Sequence, residues 1–116
     1  MSKRRDIDFL KDIMEAIKRI KTYSDKIDYD EFLGDIKTQD AVVRNIEIIG
    51  EAVKNISPDF KDRYETIEWK KIAGMRDKII HFYFGINWDI VWDVITNRLP
   101  LLEDKIKKLI AKEFRI

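Results

Sequence analysis

At 116 residues, 45% of them apolar and none of them cysteine, the chain has the size of one domain able to bury roughly two-thirds of its unfolded surface, and it can build neither a disulfide framework nor a thiolate metal site. Twenty-three basic residues against 22 acidic ones leave no overall positive field, so any binding of nucleic acid has to use a local patch. The longest uncharged run, Ile79 to Trp88, is ten residues, about half of a membrane-spanning helix, and MSKRRDIDFL lacks the apolar segment of a signal peptide; the expectation is a soluble, cytoplasmic protein with a single domain over residues 1–116 and no membrane attachment.

From Asp6 to about Tyr23, the residues Ile7, Leu10, Met14, Ile17 and Ile20 recur at spacings of three and four, which predicts an amphipathic helix with lysines on its outer face. The segment DYDEFLGDIK offers Asp28 as a cap, one short turn and then Gly34, and reads as a connection. Thr38 is the predicted N-cap of the next helix, TQDAVVRNIEIIGEAVKNIS, in which Val42, Ile46, Ile49, Val53 and Ile56 form the apolar stripe. A glycine in mid-helix costs about 1 kcal/mol relative to alanine, so Gly50 predicts another backbone packed close to it. Ser57-Pro58 ends that helix and starts a short one, because proline suits the first helical position. A further helix is predicted from about Glu68 through Ile80. After Gly85, Asn87 caps a last long helix that aligns Val91, Ile95, Leu99, Leu102, Ile106 and Leu109, with a kink expected at Pro100. There is no alternating strand pattern and no repeat. The predicted fold is all-α: an antiparallel bundle of four main helices with one or two short ones.

The stretch GMRDKIIHFYFG, residues 74–85, holds the only histidine. On an ideal helix Arg76 and Tyr83 fall about 20° apart, and His81 lies roughly 140° from Arg76. One regular helix therefore separates them. Either the helix ends near His81, or two copies of the segment face each other across a dimer. Phe82, Tyr83, Phe84, Ile86 and Trp88 are too apolar for an exposed helix end, and a second subunit is the simplest cover. A lone histidine is by default a buried core group bonded to a carbonyl, an arginine by default an ion-pair partner, and a tyrosine by default a packed aromatic. Together, however, a group that moves protons near pH 7 and a guanidinium that grips phosphate are the parts of a metal-free ribonuclease. Such an enzyme activates the ribose 2′-OH and protonates the leaving 5′-oxygen, which needs both an acid and a base; a two-fold dimer supplies two histidines to one cleft.

Other chemistries fit less well. A zinc site would have one histidine plus carboxylates, while magnesium on DYDEF stays open. The four glycines are scattered, so no phosphate-cradling loop exists, and Ser57 reads as a helix cap rather than a nucleophile. The basic, amphipathic KIKKLIAKEFRI reads first as a solvated helix face.

The runs DYDEFLGDIKTQDAVVRNIEIIGEAVKNIS and WKKIAGMRDKIIHFYFGINWDIVW closely resemble the HepT-like branch of the HEPN superfamily, over about Asp28 to Leu102. The diagnostic element, arginine, four residues, histidine, one residue, tyrosine, stands intact as Arg76, His81 and Tyr83. The resemblance implies a helical homodimer with the Arg and His of both subunits in an interfacial cleft, acting as a cofactor-free, metal-independent endoribonuclease toxin on RNA. It further implies a cognate MntA-type minimal nucleotidyltransferase antitoxin that transfers AMP from ATP onto the motif tyrosine. Carried over, Arg76 and His81 are catalytic and Tyr83 is the modification site, with Asp77 added because the position after the arginine is often polar in HEPN proteins. An adenylyl group on Tyr83 would place bulk and negative charge beside His81 and Arg76. The superfamily also includes proteins that resemble non-catalytic binding partners of a nucleotidyltransferase; the intact motif favours the nuclease over that alternative.

Overall fold

The computed structural model of the chain describes residues 4–81 and 85–114, with the backbone alone at His81. Helix α1 (Asp6–Ser24) starts where the Asp8 carboxylate accepts a hydrogen bond from the Arg5 N–H at 2.8 Å, and it buries Ile7, Leu10, Ile13, Ala16, Ile17 and Ile20. Ile13 rather than Met14 carries the stripe through its middle: Ile13 is wholly buried, and Met14 is only partly covered. The short α2 (Tyr29–Leu33) has the expected cap, since Asp28 accepts from the Glu31 N–H at 2.9 Å and the Glu31 carboxylate accepts from the Asp28 N–H at 3.2 Å.

Helix α3 (Ile36–Asn55) begins earlier than the sequence suggests, and its N-cap is Asp35, not Thr38. The Asp35 carboxylate accepts from both the Thr38 N–H, at 3.0 Å, and the Thr38 hydroxyl, at 2.7 Å. Thr38 therefore serves as the donor that Asp35 captures, and its own hydroxyl is not the cap. Both donors hold the Asp35 carboxyl below the ordinary carboxylate range, the hydroxyl bond more than the backbone bond. The stripe Val42, Ile46, Ile49 and Val53 is buried as expected.

Ser57 caps α4 (Pro58–Arg63), and it also closes the bundle at that end. Its N–H and its hydroxyl both donate to the Asp6 carboxylate, at 2.8 and 2.7 Å. The end of α3 thus lies against the start of α1, and the two helices run antiparallel. At the other end of α1, Lys21 pairs with Glu103 near the start of the last helix, while Arg63 and Tyr64 reach Glu113 near its finish. The last helix therefore also runs antiparallel to α1.

The helix expected from Glu68 through Ile80 is broken in two: α5 (Trp69–Ala73) and α6 (Met75–Ile79) meet at Gly74. Glycine is a poor helix former, and at this joint the chain leans on the backbone of α3. A Cβ on Gly50 would lie 3.2 Å from the carbonyl oxygen of Ala73, which is the close approach that a mid-helix glycine predicts. After α6 the chain turns extended at Ile80, and a two-residue pair of strands that the sequence pattern did not reveal follows. Strand β1 (Ile80–His81) pairs antiparallel with β2 (Gly85–Ile86), in the register Ile80 to Ile86 and His81 to Gly85. Gly85 has φ +81°, a conformation that favours glycine.

Asn87 then caps α7 (Trp88–Asp93), its side-chain oxygen accepting from the Ile90 N–H at 3.2 Å. The irregularity expected at Pro100 takes the form of a π turn over Val94–Arg98, with α8 (Leu99–Phe114) continuing the helix beyond it. Pro100 has no N–H to give the preceding turn, and the Leu99 N–H reaches back to the Val94 carbonyl instead. The fold is all-α in the sense expected: α1, α3, the jointed α5–α6 and the long α7–α8 are the four main elements, and α2 and α4 are the short ones. One core joins them, including Phe32, Ile46, Phe60, Ile79 and Ile106.

Ser57→Ala removes a buried-end hydrogen bond to Asp6 and the cap of α4 together, and should destabilise the fold by about 1–2 kcal/mol in chemical denaturation without loss of helix at 25 °C. The Tyr64 hydroxyl first, and the Arg63 guanidinium second, hold the Glu113 carboxyl below its ordinary range. A carboxyl depressed in the folded state contributes stability that is present above the unfolded pKa and lost as pH falls through the lower folded value. The melting temperature of Glu113→Gln should therefore lie below that of the native chain near neutral pH, and the gap should close as the solution is acidified below about pH 4.

Candidate active site

Arg76 occupies the first turn of α6, three residues after Ala73, so the contact of Ala73 with Gly50 brings it alongside α3. Its side chain is half exposed. Glu47 of α3 stands 3.8 Å from its Nε, and Asp77, the next residue of α6, stands 3.6 Å from its Nη1. Both separations are ion pairs longer than hydrogen bonds, so these carboxylates leave the guanidinium with donor capacity to offer a ligand. Asp77 projects into solvent, with 80% of its side chain exposed, whereas Glu47 is two-thirds covered.

These residues border a groove of about 600 Å³. Its floor is the outer face of α3, with Arg44, Glu47, Ile48, Glu51 and Lys54. One wall is the start of α1, with Arg4, Phe9 and Asp12, and the other is the α5–α6 joint, with Ala73, Arg76 and Asp77. Among the described residues four basic and four acidic side chains line it, so they give it no large potential of either sign and recognition has to depend on where each charge sits. Arg4 is already engaged by Asp12 at 2.8 Å.

Of the residues singled out from the sequence, the structure brings Arg76 and Asp77 to this groove. The helix ends at Ile79, which is the first of the two arrangements that the 140° separation left open. The backbone of His81 follows within two residues, fixed by pairing with Gly85. The His81 side chain and all of Tyr83 lie outside the described residues. The apolar run around them is partly covered within the chain itself: Trp88 packs edge-on against Phe32 at 5.7 Å, and both Ile86 and Trp88 pack on the core. Phe82 and Phe84 lie outside the described residues. Glu47 was missed in the sequence. The available signal was its place one helical turn before Gly50, on the side of α3 where a close neighbour is expected. Among the described residues no three histidine, aspartate or glutamate side chains gather as a metal-binding cluster, and no helix is long and apolar enough to cross a membrane.

The family described as Ribonuclease HepT-like matches residues 13–109. A protein of Methanocaldococcus jannaschii named "Putative RNase MJ0127" is 48% identical over 88% of this chain and 84% of its own length. "Probable ribonuclease HepT" of Thermococcus cleftensis is 47% identical over 92% of the chain and 97% of its length. A third, "Putative RNase TTE0752" of Caldanaerobacter subterraneus, is 44% identical over 84% and 83%. No solved structure matches the chain. With the family matched over most of the sequence, and the motif arginine seated on the wall of a charged groove, the chain belongs to the HepT-like ribonuclease family of the HEPN superfamily.

Proposed function

We propose that the protein is a metal-independent endoribonuclease acting in the cytoplasm, the toxin of a pair whose antitoxin is an MntA-type minimal nucleotidyltransferase. The observation that carries this reading is Arg76: a half-exposed guanidinium on the wall of a groove, held among the described residues by two long ion pairs, with His81 two residues beyond the end of the same helix. Surface pairs of this kind are worth about 0–1 kcal/mol, so Arg76 adds little to folding, while phosphate can recruit it with two parallel hydrogen bonds. The names of the relatives support the same class of activity.

In this reading Arg76 grips the scissile phosphate. One imidazole takes the proton of the ribose 2′-OH, the 2′-oxygen attacks phosphorus, and the bond to the 5′-oxygen breaks as that oxygen receives a proton, leaving a 2′,3′-cyclic phosphate. A homodimer supplies the second His81 as the acid, and two copies of Arg76 line the shared cleft. Asp77 neighbours the guanidinium and tunes its availability. The partner silences the enzyme on Tyr83: the phenol oxygen attacks the α-phosphorus of ATP, pyrophosphate leaves, and the AMP so attached brings a phosphate charge to the place where the substrate phosphate would bind.

Cleavage of single-stranded RNA should persist in EDTA, yield cyclic phosphate ends and require the 2′-OH. His81→Ala and Arg76→Ala should each lower it by at least about a hundredfold with unchanged circular dichroism. Activity that survives in His81→Ala, or that appears only with magnesium, would place the chemistry elsewhere. Incubation with ATP and the cognate nucleotidyltransferase should add the mass of AMP to a peptide containing Tyr83 and abolish cleavage, whereas Tyr83→Phe should remain active and resist silencing, because it loses the acceptor oxygen and almost no volume. Mass spectrometry showing Tyr83 unmodified by an active partner would rule the switch out.

A further inference from the structure

We infer that Glu47 is a positioning residue for Arg76, and that the Gly50–Ala73 contact is the pin that sets its geometry; the inference rests on the ribonuclease reading. The two helices meet in register. On α3, Glu47 and Gly50 are three residues apart and so share a face. Across from them, Ala73 and Arg76 are also three residues apart, on either side of the Gly74 joint. Gly50 meets the carbonyl of Ala73, where a Cβ would lie 3.2 Å away, and Glu47 meets Arg76 at Nε. A close approach of the α5–α6 joint to the α3 backbone therefore lies one turn from the ion pair and bears on its separation.

The choice of atom matters. Nε is the inner donor of the guanidinium, so a carboxylate placed there directs the outer edge, formed by the two terminal nitrogens, away from α3 and into the groove. That outer edge offers a phosphate two parallel N–H donors. Asp77 cannot perform the same task. It belongs to the same short helix as Arg76, it is almost entirely exposed, and it faces a terminal nitrogen. Glu47 is two-thirds covered and comes from a different element, so it fixes Arg76 relative to the body of the fold. At 3.8 Å the pair can shorten to a hydrogen bond when a substrate draws the guanidinium into line.

A positioning role makes a demand that a surface ion pair does not. The amide oxygen of glutamine can accept from Nε–H, so Glu47→Gln should keep the geometry while Glu47→Ala loses it. With a single-stranded RNA oligonucleotide as substrate, Glu47→Ala should lower kcat by about tenfold or more at nearly constant KM, and Glu47→Gln should recover most of that loss. Both variants should melt with the native protein. In isotope-labelled protein saturated with a 2′-deoxy oligonucleotide that cannot be cleaved, the Arg76 Nε–H signal should exchange with solvent faster in Glu47→Ala than in the native chain or in Glu47→Gln. A native rate and native exchange in Glu47→Ala would overturn the assignment. So would a Glu47→Gln variant as slow as Glu47→Ala, since that points to a carboxylate acting as a base. Should the native protein leave RNA uncut, the ribonuclease reading fails, and the exchange measurement still decides whether Glu47 holds Arg76.

Discussion

Between Gly50 and the carbonyl of Ala73 there is no room for a methyl group unless something moves, since a Cβ would lie 3.2 Å from the oxygen. In a helix whose core stripe is otherwise Val42, Ile46, Ile49 and Val53, one missing side chain lets the α5–α6 segment rest on the α3 backbone. Trp69, Met75 and Ile79 are buried beneath that segment, and the indole N–H of Trp69 donates to the Tyr64 carbonyl at 3.1 Å. Interiors packed to crystal density transmit such a displacement instead of absorbing it. A side chain at position 50 would require the Ala73 carbonyl, three residues before Arg76, to give way by a few tenths of an ångström. The lower helix propensity of glycine at that position, about 1 kcal/mol against alanine, is thus offset by the contact it permits.

Much of this was readable in the sequence because it depends on local rules. The apolar spacing gave α1, α3 and α7–α8, and Asp28, Ser57 and Asn87 cap the helices they precede. The misreadings share one cause, which is that local signals there are ambiguous until tertiary contacts decide. Asp35 and Thr38 are both good caps three residues apart, and the one that can accept from the other prevails. Gly74 within an otherwise helical pattern could be tolerated, and the contact with α3 turns it into a joint. Two-residue strands are too short to show alternation at all, so β1 and β2 had no signature beyond Gly85. Glu47 was illegible for a different reason. A helical wheel puts it on the Gly50 side of α3, but nothing there says which group it meets until the position of Arg76 is known.

The electrostatics of the groove bear on what it can bind. With basic and acidic side chains in equal number, it does not draw a polyanion by long-range field, and exposed pairs a Debye length apart are largely screened at physiological salt. Discrimination has to come from close contact. A phosphate oxygen accepting two hydrogen bonds from the outer edge of Arg76 competes easily with Asp77, which is 80% exposed and 3.6 Å away. The acids of the groove then act as a filter, because a ligand that fails to displace them meets like charge.

The arginine and histidine of the motif stand on separate elements, and a glycine fixes each one. On a continuous helix they would point roughly 140° apart. The chain is not a continuous helix there: it leaves α6 at Ile80, where φ −105° and ψ 119° are extended, and Gly85 on the paired strand has φ +81°. A residue with a side chain at position 85 would be strained there, and the pairing that holds the His81 backbone would weaken with it. Gly50 positions the wall that carries Arg76, and Gly85 positions the strand that carries His81. The spacing of four residues between arginine and histidine is therefore the length of chain needed to finish one helical turn and enter a strand. A helix extended through residue 81 would keep the same two residue types and lose the pairing with Gly85 that holds the His81 backbone.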